Sequence, residues 1–368
     1  MLQLLATLAV GTAAGFVLLK LKVPGGMMVG AIIGVSCLTI LTGFSDMPYA
    51  AKQAAQMTAG AFIGCSIDRK DISRLRYIYK PAAAMLSALL VLNLAMGFII
   101  YAITPLDLLT SFLSAVPGGI SDVPLIAMDF GADGAKVAVM QFARMVVGVG
   151  FFPSFIAWVN RKEEPDANTE GAAKTPFAAP SKVEGNEPAA SKESGRAAKW
   201  LTRQKPVFTA IACAVLCGLA GVFSSIPSGA LLLPLLGVIG LKLLGIPVSL
   251  PKKIRRMAQV LAGSYIGCSV TYQDLLDLRQ LAVPILIMLT GYLLNSYLSG
   301  SMLRRCFGLT LRQGMLATSP AGASDMALIS ADIGVQSADV IILQVLRMLA
   351  AVSVFPYILQ FVARAFGG

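Results

Sequence analysis

Long apolar runs separated by short polar stretches make up most of this 368-residue chain. A helix that crosses a bilayer needs about 20 predominantly apolar residues. The runs therefore predict an all-α, polytopic membrane helix bundle. They lie near residues 2–19, 26–44, 53–67, 82–103 and 134–158 in the first half, and near 206–224, 229–245, 257–270, 283–303 and 338–366 in the second.

The first run, Met1 to Leu19, lacks a basic start and a small-residue cleavage site, so we interpret it as a first membrane helix and not as a signal peptide. The third run is weak, because Lys52 and Gln53 stand at its start. Two further apolar elements are interrupted by helix-breaking residues, 106–130 at Pro117-Gly118-Gly119 and 312–333 at Pro320-Ala321-Gly322.

Residues 161–205 separate the two halves and have a different composition, rich in Lys, Glu, Ala, Pro, Ser and Gly without apolar periodicity. Such a segment cannot bury enough apolar surface to fold by itself. We predict a disordered hydrophilic linker between a first membrane repeat, residues 1–160, and a second, residues 206–368.

The two halves are copies of each other at a constant offset of 203 residues, without a gap. The shared residues include rare types, and chance agreement over so many positions is negligible. Matching residues include Pro24 and Pro227, Gln56 and Gln259, Gly64 and Gly267, Pro117 and Pro320, Ser121 and Ser324, Asp122 and Asp325, Asp129 and Asp332, Gln141 and Gln344, Arg144 and Arg347, and Pro153 and Pro356.

Loop charges predict that the repeats are inverted. Cytoplasmic loops carry an excess of Lys and Arg, and the positive loops of the second half are shifted by one loop relative to those of the first. They contain Lys20, Lys22, Arg69, Lys70, Arg74, Arg76 and Lys80 in the first half, and Lys252, Lys253, Arg255, Arg256, Arg304, Arg305 and Arg312 in the second. Inversion needs an odd number of crossings in each half, so one of the six segments must not cross; the interrupted element and the weak third run are both candidates.

Composition excludes several classes of function. The chain is 56% hydrophobic and 13% charged, with a mean hydropathy of +0.75, and it has no histidine. A Ser-His-Asp triad, a His-ligated metal and a proximal-His haem are therefore excluded. The net charge of +11 lies in the loops between apolar runs, so it indicates topology and not a nucleic-acid partner. The six cysteines lie mostly within apolar runs and are interpreted as packing residues, not as a disulfide framework.

The interrupted elements are the first candidate site. Freed backbone groups are tolerated at membrane depth only where protein buries them or they line a cavity. The candidates are Gly118, Gly119, Ser121 and Asp122 with their copies Gly322, Ser324 and Asp325. Ser121 and Asp122 could simply cap the restarting helix. Alternatively the two aspartates bind a cation or proton, or the positive ends of the half-helices bind an anionic substrate.

A second candidate feature lies in the last run of each half, where Gln141 and Arg144, and their copies Gln344 and Arg347, share one helix face. Charged side chains inside a membrane face the bundle interior. An arginine paired with Asp122, Asp129 or a copy of these would be structural. An arginine free to meet substrate would select an anion. Secondary candidates are Asp129, Asp332, Gln56 and Gln259, the last two on the small-residue stripes of Gly60 and Gly64 and of Gly263 and Gly267, which predict close helix packing.

The repeated P-[GA]-G-x-S-D, Q-x-x-R-M and G-C-S-[IV] motifs, together with the duplication, resemble the AbrB family of bacterial membrane proteins. That family is named for an effect on gene expression and is also labelled an ammonia monooxygenase, a label that the absence of imidazole ligands contradicts. One segment per half is also similar to bile-acid:sodium symporter-type proteins, a likeness that implies five helices per repeat and a site at crossing broken helices.

We therefore expect a multi-pass protein of the bacterial inner membrane that transports a small solute, with H⁺ or Na⁺ as a candidate coupling ion. The alternative is a membrane regulatory or scaffold protein on a transporter-like fold, with an indirect effect on gene expression. We expect no cofactor, no metal, no enzymatic activity and no nucleic-acid partner; the lipid bilayer is a partner, and a homo-oligomer is compatible with the sequence.

Overall fold

The computed structural model describes residues 2–21, 23, 25–67, 69–120, 122–152, 155–156, 158–159, 196–224, 226–272, 281–319 and 338–367. The regular secondary structure of these residues is helical, as the sequence predicts. The first half contains α1 (Leu2–Lys20), α2 (Gly26–Thr42), α3 (Tyr49–Cys65), α4 (Arg69–Ile103), α5 (Leu108–Ser114), α6 (Val123–Asp129) and α7 (Gly134–Gly150). The second half contains α8 (Arg196–Phe223), α9 (Gly229–Leu243), α10 (Lys252–Ser269), α11 (Ala282–Phe307), α12 (Leu311–Thr318), α13 (Ala338–Ser353) and α14 (Phe355–Gly367).

Among the described residues, four helical segments are long and apolar enough to cross a membrane: Leu2–Lys20, Tyr77–Ile103, Lys205–Phe223 and Ala282–Phe307. Helices α13 and α14 are bent by 43° against each other and would form a fifth span as a pair. The apolar helices α2 and α9 are shorter, with 17 and 15 residues. The chain is thus a membrane protein with a helical bundle, and the first run is a helix of spanning length, as predicted.

The helices of one repeat pack on those of the other in a reciprocal pattern. Helix α3 packs on α9, and the equivalent α10 packs on α2. The predicted small-residue stripes lie in these contacts. A β-carbon on Gly60 would stand 2.0 Å from the Leu231 carbonyl oxygen, and one on the equivalent Gly263 would stand 2.5 Å from that of Met28. Since Leu231 and Met28 are also 203 residues apart, the duplication extends to the packing.

Two cation–aromatic contacts give the relative direction of the repeats. Lys52, near the start of α3, lies over the Tyr265 ring near the end of α10, at 5.9 Å. Arg255, near the start of α10, lies over the Phe62 ring near the end of α3, at 4.4 Å. The equivalent helices α3 and α10 therefore run antiparallel, which is the geometry of inverted repeats and confirms the prediction from loop charges.

The predicted linker and the repeat boundaries lie largely outside the described residues. Helix α8 begins at Arg196, so its first turns fall within the segment 161–205. The boundaries of the two membrane repeats, residues 1–160 and 206–368, therefore remain a prediction.

Candidate functional site

The interrupted element of the first half consists of two short helices, α5 and α6, of seven residues each. At 1.5 Å per residue each is about 10 Å long, so neither crosses a bilayer by itself. Helix α5 is capped by Asp107, whose carboxylate accepts a hydrogen bond from the Thr110 N–H at 2.8 Å. It ends before Pro117, and residues 110–117 are all buried. The break therefore lies inside the protein, as predicted.

Helix α7 closes the end of α5 with one polar face. Gln141 Nε2 donates to the carbonyl oxygens of Leu113, Ser114 and Val116 at 3.4, 3.2 and 3.0 Å. Arg144 Nη2 donates to the Gly118 carbonyl oxygen. These carbonyls belong to the last turn of α5 and to the break, where the helix leaves its acceptors unsatisfied and carries partial negative charge. The predicted shared face of Gln141 and Arg144 is confirmed, and both side chains are buried.

The second half repeats this arrangement. Gln344 Nε2 donates to the Leu316 carbonyl oxygen at 2.9 Å, the equivalent of the bond from Gln141 to Leu113. Arg347 is 3% exposed and Arg144 4%, and each lies close enough to the other for their charges to repel. Five further candidate residues from the sequence lie outside the described residues: Ser121, Gly322, Ser324, Asp325 and Asp332.

Tyr292 of α11 joins the two arginines, and sequence reasoning did not identify it. Its hydroxyl donates to the Ala115 carbonyl oxygen at 2.5 Å. The same side chain interacts electrostatically with both Arg144 and Arg347, and only 2% of it is exposed. Comparison of the two repeats does not single out Tyr292, because the equivalent residue in the first repeat, at position 89, is a leucine. The one available signal is a tyrosine within an apolar span.

Asp122 does not cap α6, although capping is one of the alternatives that the sequence leaves open. It is the first flanking residue of α6, but its backbone has helical angles and its side chain forms no capping hydrogen bond. The side chain is 8% exposed, and the charge that attracts it is that of Arg255 in the second repeat. Gly119 makes room for it, since a β-carbon there would stand 2.3 Å from Asp122 Oδ2. Gly118 packs in the same way against Val123 Cγ2, at 2.2 Å.

Asp129 pairs with a lysine and not with Arg144. Its carboxylate lies 2.5 Å from Lys52 Nζ and accepts hydrogen bonds from Gln56 Nε2 at 2.6 Å and from the Ser228 hydroxyl at 3.0 Å. We call these four residues the Asp129 network. Of the structural pairs that the sequence leaves open, the one between Asp129 and Arg144 is not formed, because α3 brings Lys52 to the end of α6. Gln56 is engaged in this network, whereas the equivalent Gln259 is half-buried on α10.

Cysteines and carboxylates do not gather into a metal site in the described part of the chain, where no group of three His, Cys, Asp or Glu could hold an ion. All six cysteines are free. The contacts that build the candidate site are thus those of arginine, glutamine and tyrosine side chains with the carbonyls of a broken helix.

These features define a class of protein: a helical membrane protein built from inverted repeats, with a broken helix in the described repeat. A family described as "Transition state regulatory protein AbrB" matches residues 1–160 and 173–363, and the chain belongs to this AbrB family. It is 24% identical over 367 residues to "Uncharacterized protein YhjN" of Bacillus subtilis (strain 168), covering 95% of this chain and 90% of the relative. It is 25% identical over 364 residues to "Putative regulator AbrB" of Escherichia coli (strain K12), covering 98% and 96%.

Proposed function

We propose that the protein is a secondary transporter or permease of a small solute in the bacterial inner membrane, crossing it several times. The observation that carries this proposal is the convergence of Arg144 and Arg347, one from each inverted repeat, beside the buried Tyr292. Buried charges at membrane depth are costly and are retained mainly where they serve a solute or ion path. In transporters with inverted repeats, substrate sites lie at the repeat interface, where helices are broken.

A difference between equivalent positions supports this proposal. Lys52 is 3% exposed and Gln56 1% exposed within the Asp129 network. Their equivalents on α10 are more accessible, with Arg255 exposed and Gln259 half-buried. Inverted repeats place these two sets of residues towards opposite sides of the membrane. A transporter held in one of two alternating conformations would have this asymmetry, with one side closed and the other more open.

Flux through the purified protein tests the proposal. The protein is reconstituted into liposomes loaded with a defined mixture of organic acids, amino acids, sugars, inorganic anions and cations, and solute exchange is followed by mass spectrometry. We expect at least one solute to exchange faster than in protein-free liposomes, and Arg144→Gln to abolish the difference. Asp122→Asn and Asp325→Asn report on coupling, through the dependence of flux on Na⁺ and pH gradients. Wild-type flux equal to that of empty liposomes for every solute class would contradict the proposal.

The alternative function is a membrane regulator or scaffold, favoured by the description of the family and by the printed name of the Escherichia coli relative. Its natural binding element is the hydrophilic segment between the repeats. Deleting residues 163–200 would then change the set of proteins recovered with the membrane protein, while solute flux stays as in the wild type. An unchanged set of partners and unchanged gene expression would exclude a regulatory role for this segment. Neither function involves catalysis, so we also propose that the protein is not an enzyme.

A further inference from the structure

We infer that the centre of the bundle binds a small oxyanion that also carries a hydrogen-bond donor, such as a hydroxy acid, an amino acid or hydrogen phosphate. The inference rests on the proposed function, because it names the class of solute for the same site. It derives from the donors and acceptors that Arg144, Gln141 and Gln344 leave without a partner.

Arg144 provides the anionic preference. A guanidinium group has five N–H donors in a plane. Arg144 Nη2 donates to the Gly118 carbonyl, but Nε and Nη1 have no acceptor among the residues that the structure describes. Since this side chain is 4% exposed, bulk water does not replace the missing acceptors. Buried donors without an acceptor are strongly unfavourable, so this is a site to which a ligand brings oxygen atoms.

Charge points in the same direction. Arg347 lies close enough to Arg144 for mutual repulsion. Two described carboxylates that could neutralise Arg144 are engaged elsewhere, since Asp129 pairs with Lys52 and Asp122 is attracted to Arg255. In the described ranges, no carboxylate forms an ion pair with Arg144. A bound anion would supply the negative charge that the described residues do not pair with Arg144, and it would take up charge-assisted hydrogen bonds.

The two glutamines provide the second half of the specificity. Gln141 Nε2 faces three carbonyl oxygens, which fixes the orientation of its amide and turns Oε1 away from them. Gln141 Oε1 and Gln344 Oε1 are both buried without a donor in the part of the chain that is described. An O–H or N–H group of the solute would satisfy these acceptors. A site with unpartnered N–H donors and unpartnered C=O acceptors favours a ligand that is at once an anion and a hydrogen-bond donor.

The competing interpretation is that Arg144 only neutralises the end of α5. That role requires the single bond to Gly118, and a lysine could provide the same charge and one donor. It leaves Nε and Nη1 of Arg144 and Oε1 of Gln141 unexplained. The two interpretations differ in what they predict for ligand binding by a variant that keeps the positive charge.

Binding is measured by thermal unfolding and by titration calorimetry on the full-length protein in detergent. The probes are sodium lactate and propionate, which differ in a hydroxyl group, and sodium phosphate and sulfate, of which only phosphate carries a proton at neutral pH. Sodium chloride at matched ionic strength corrects for general salt effects. We expect saturable binding of lactate or phosphate, and binding of propionate and sulfate weaker by about tenfold or more.

The variants separate a site from a structural role. Arg144→Lys keeps the charge and should weaken binding by about tenfold or more, because the planar donor set is lost. Tyr292→Phe removes a hydroxyl without changing the shape of the side chain and provides a second readout if Arg144→Lys does not fold. Arg364→Gln, at an exposed position of α14, is the matched control and should bind as the wild type.

The outcomes are distinct for the two proposals. Saturable anion binding lost in Arg144→Lys, together with absence of flux in liposomes, supports the anion site and contradicts transport. Flux restricted to cations or neutral solutes, without anion binding, supports transport and overturns the anion site. Equal binding by the wild type and Arg144→Lys also overturns it, because the guanidinium would then have no part in recognition.

Discussion

Lys52 and Asp129 form an ion pair inside the protein, with Nζ and Oδ1 2.5 Å apart and side chains that are 4% and 8% exposed. The pair joins α3 to the end of α6, and the Ser228 hydroxyl of the second repeat also donates to the same carboxylate. Removing one partner leaves the other charge buried without compensation. The Asp129 network thus connects the broken segment of the first repeat both to α3 and to Ser228 of the second repeat.

Lys52→Met should lower the free energy of unfolding by about 3–5 kcal/mol, because Asp129 then stays buried as an unpaired charge. Chemical unfolding of the purified protein in mixed micelles measures this change. The double variant Lys52→Met/Asp129→Leu removes both charges and should be clearly more stable than Lys52→Met.

The matched control for this prediction is Lys136→Met. Lys136 and Asp133 form a pair at 3.2 Å whose side chains are 22% and 31% exposed. Such a pair contributes about 0–1 kcal/mol. Equal losses of unfolding free energy for Lys52→Met and Lys136→Met would show that the buried pair contributes no more to stability than the exposed one.

A second prediction concerns the contact between the repeats. Gly60→Ala should destabilise the bundle by about 1–3 kcal/mol or more, because its β-carbon would stand 2.0 Å from the Leu231 carbonyl oxygen and a backbone cannot yield easily. Gly263→Ala should act in the same direction. Gly240→Ala is the control, since a β-carbon there meets nothing within 4 Å; in a helix it should be neutral or stabilise by about 0.5–1 kcal/mol. A neutral Gly60→Ala would contradict the close approach of α3 and α9. Unfolding in mixed micelles is again the measurement.

The sequence predicted these packing glycines and the broken helix because both leave local signals. Gly60 and Gly64 occur at helical spacing and recur at the same offset as Pro117. The Asp129 network could not be predicted in this way. It joins Lys52, Asp129 and Ser228, and the copies of Lys52 and Ser228 are Arg255 and Gly25. A contact that one repeat makes and the other cannot copy depends on tertiary packing.

The same reasoning explains the site. The sequence placed Gln141 and Arg144 on one buried face, but it left open whether Arg144 meets a carboxylate or a substrate. Asp129 lies at a similar depth in the membrane and was a possible partner of Arg144. Only the position of α3 shows that Asp129 pairs with Lys52 instead. Tyr292 escaped notice because α11 carries it at a position where α4 carries Leu89.

The antiparallel packing of α3 and α10 gives a third prediction. In a background without the six native cysteines, Phe62→Cys/Arg255→Cys should be joined by a short bifunctional maleimide, since Arg255 lies 4.4 Å from the Phe62 ring. Phe62→Cys/Tyr265→Cys is the matched control. Residues 255 and 265 are about 15 Å apart along α10 at 1.5 Å per residue, so this pair should react poorly. Efficient linkage of the control pair and none of the first would indicate parallel repeats. Linkage is read from peptides by mass spectrometry.

Unequal exposure of equivalent positions gives a fourth prediction. Gln56 is 1% exposed, whereas Gln259 is half-buried. In membranes and in the cysteine-free background, Gln259→Cys should therefore react with a small water-soluble maleimide about tenfold faster or more than Gln56→Cys, since reaction requires an accessible thiolate. A fixed scaffold keeps this ratio under all conditions. A transporter that alternates between two conformations shifts it when a transported solute is added to one side, so that position 56 gains reactivity as position 259 loses it. Equal rates at the two positions without solute would contradict the asymmetry, and a ratio that no solute changes would favour the scaffold.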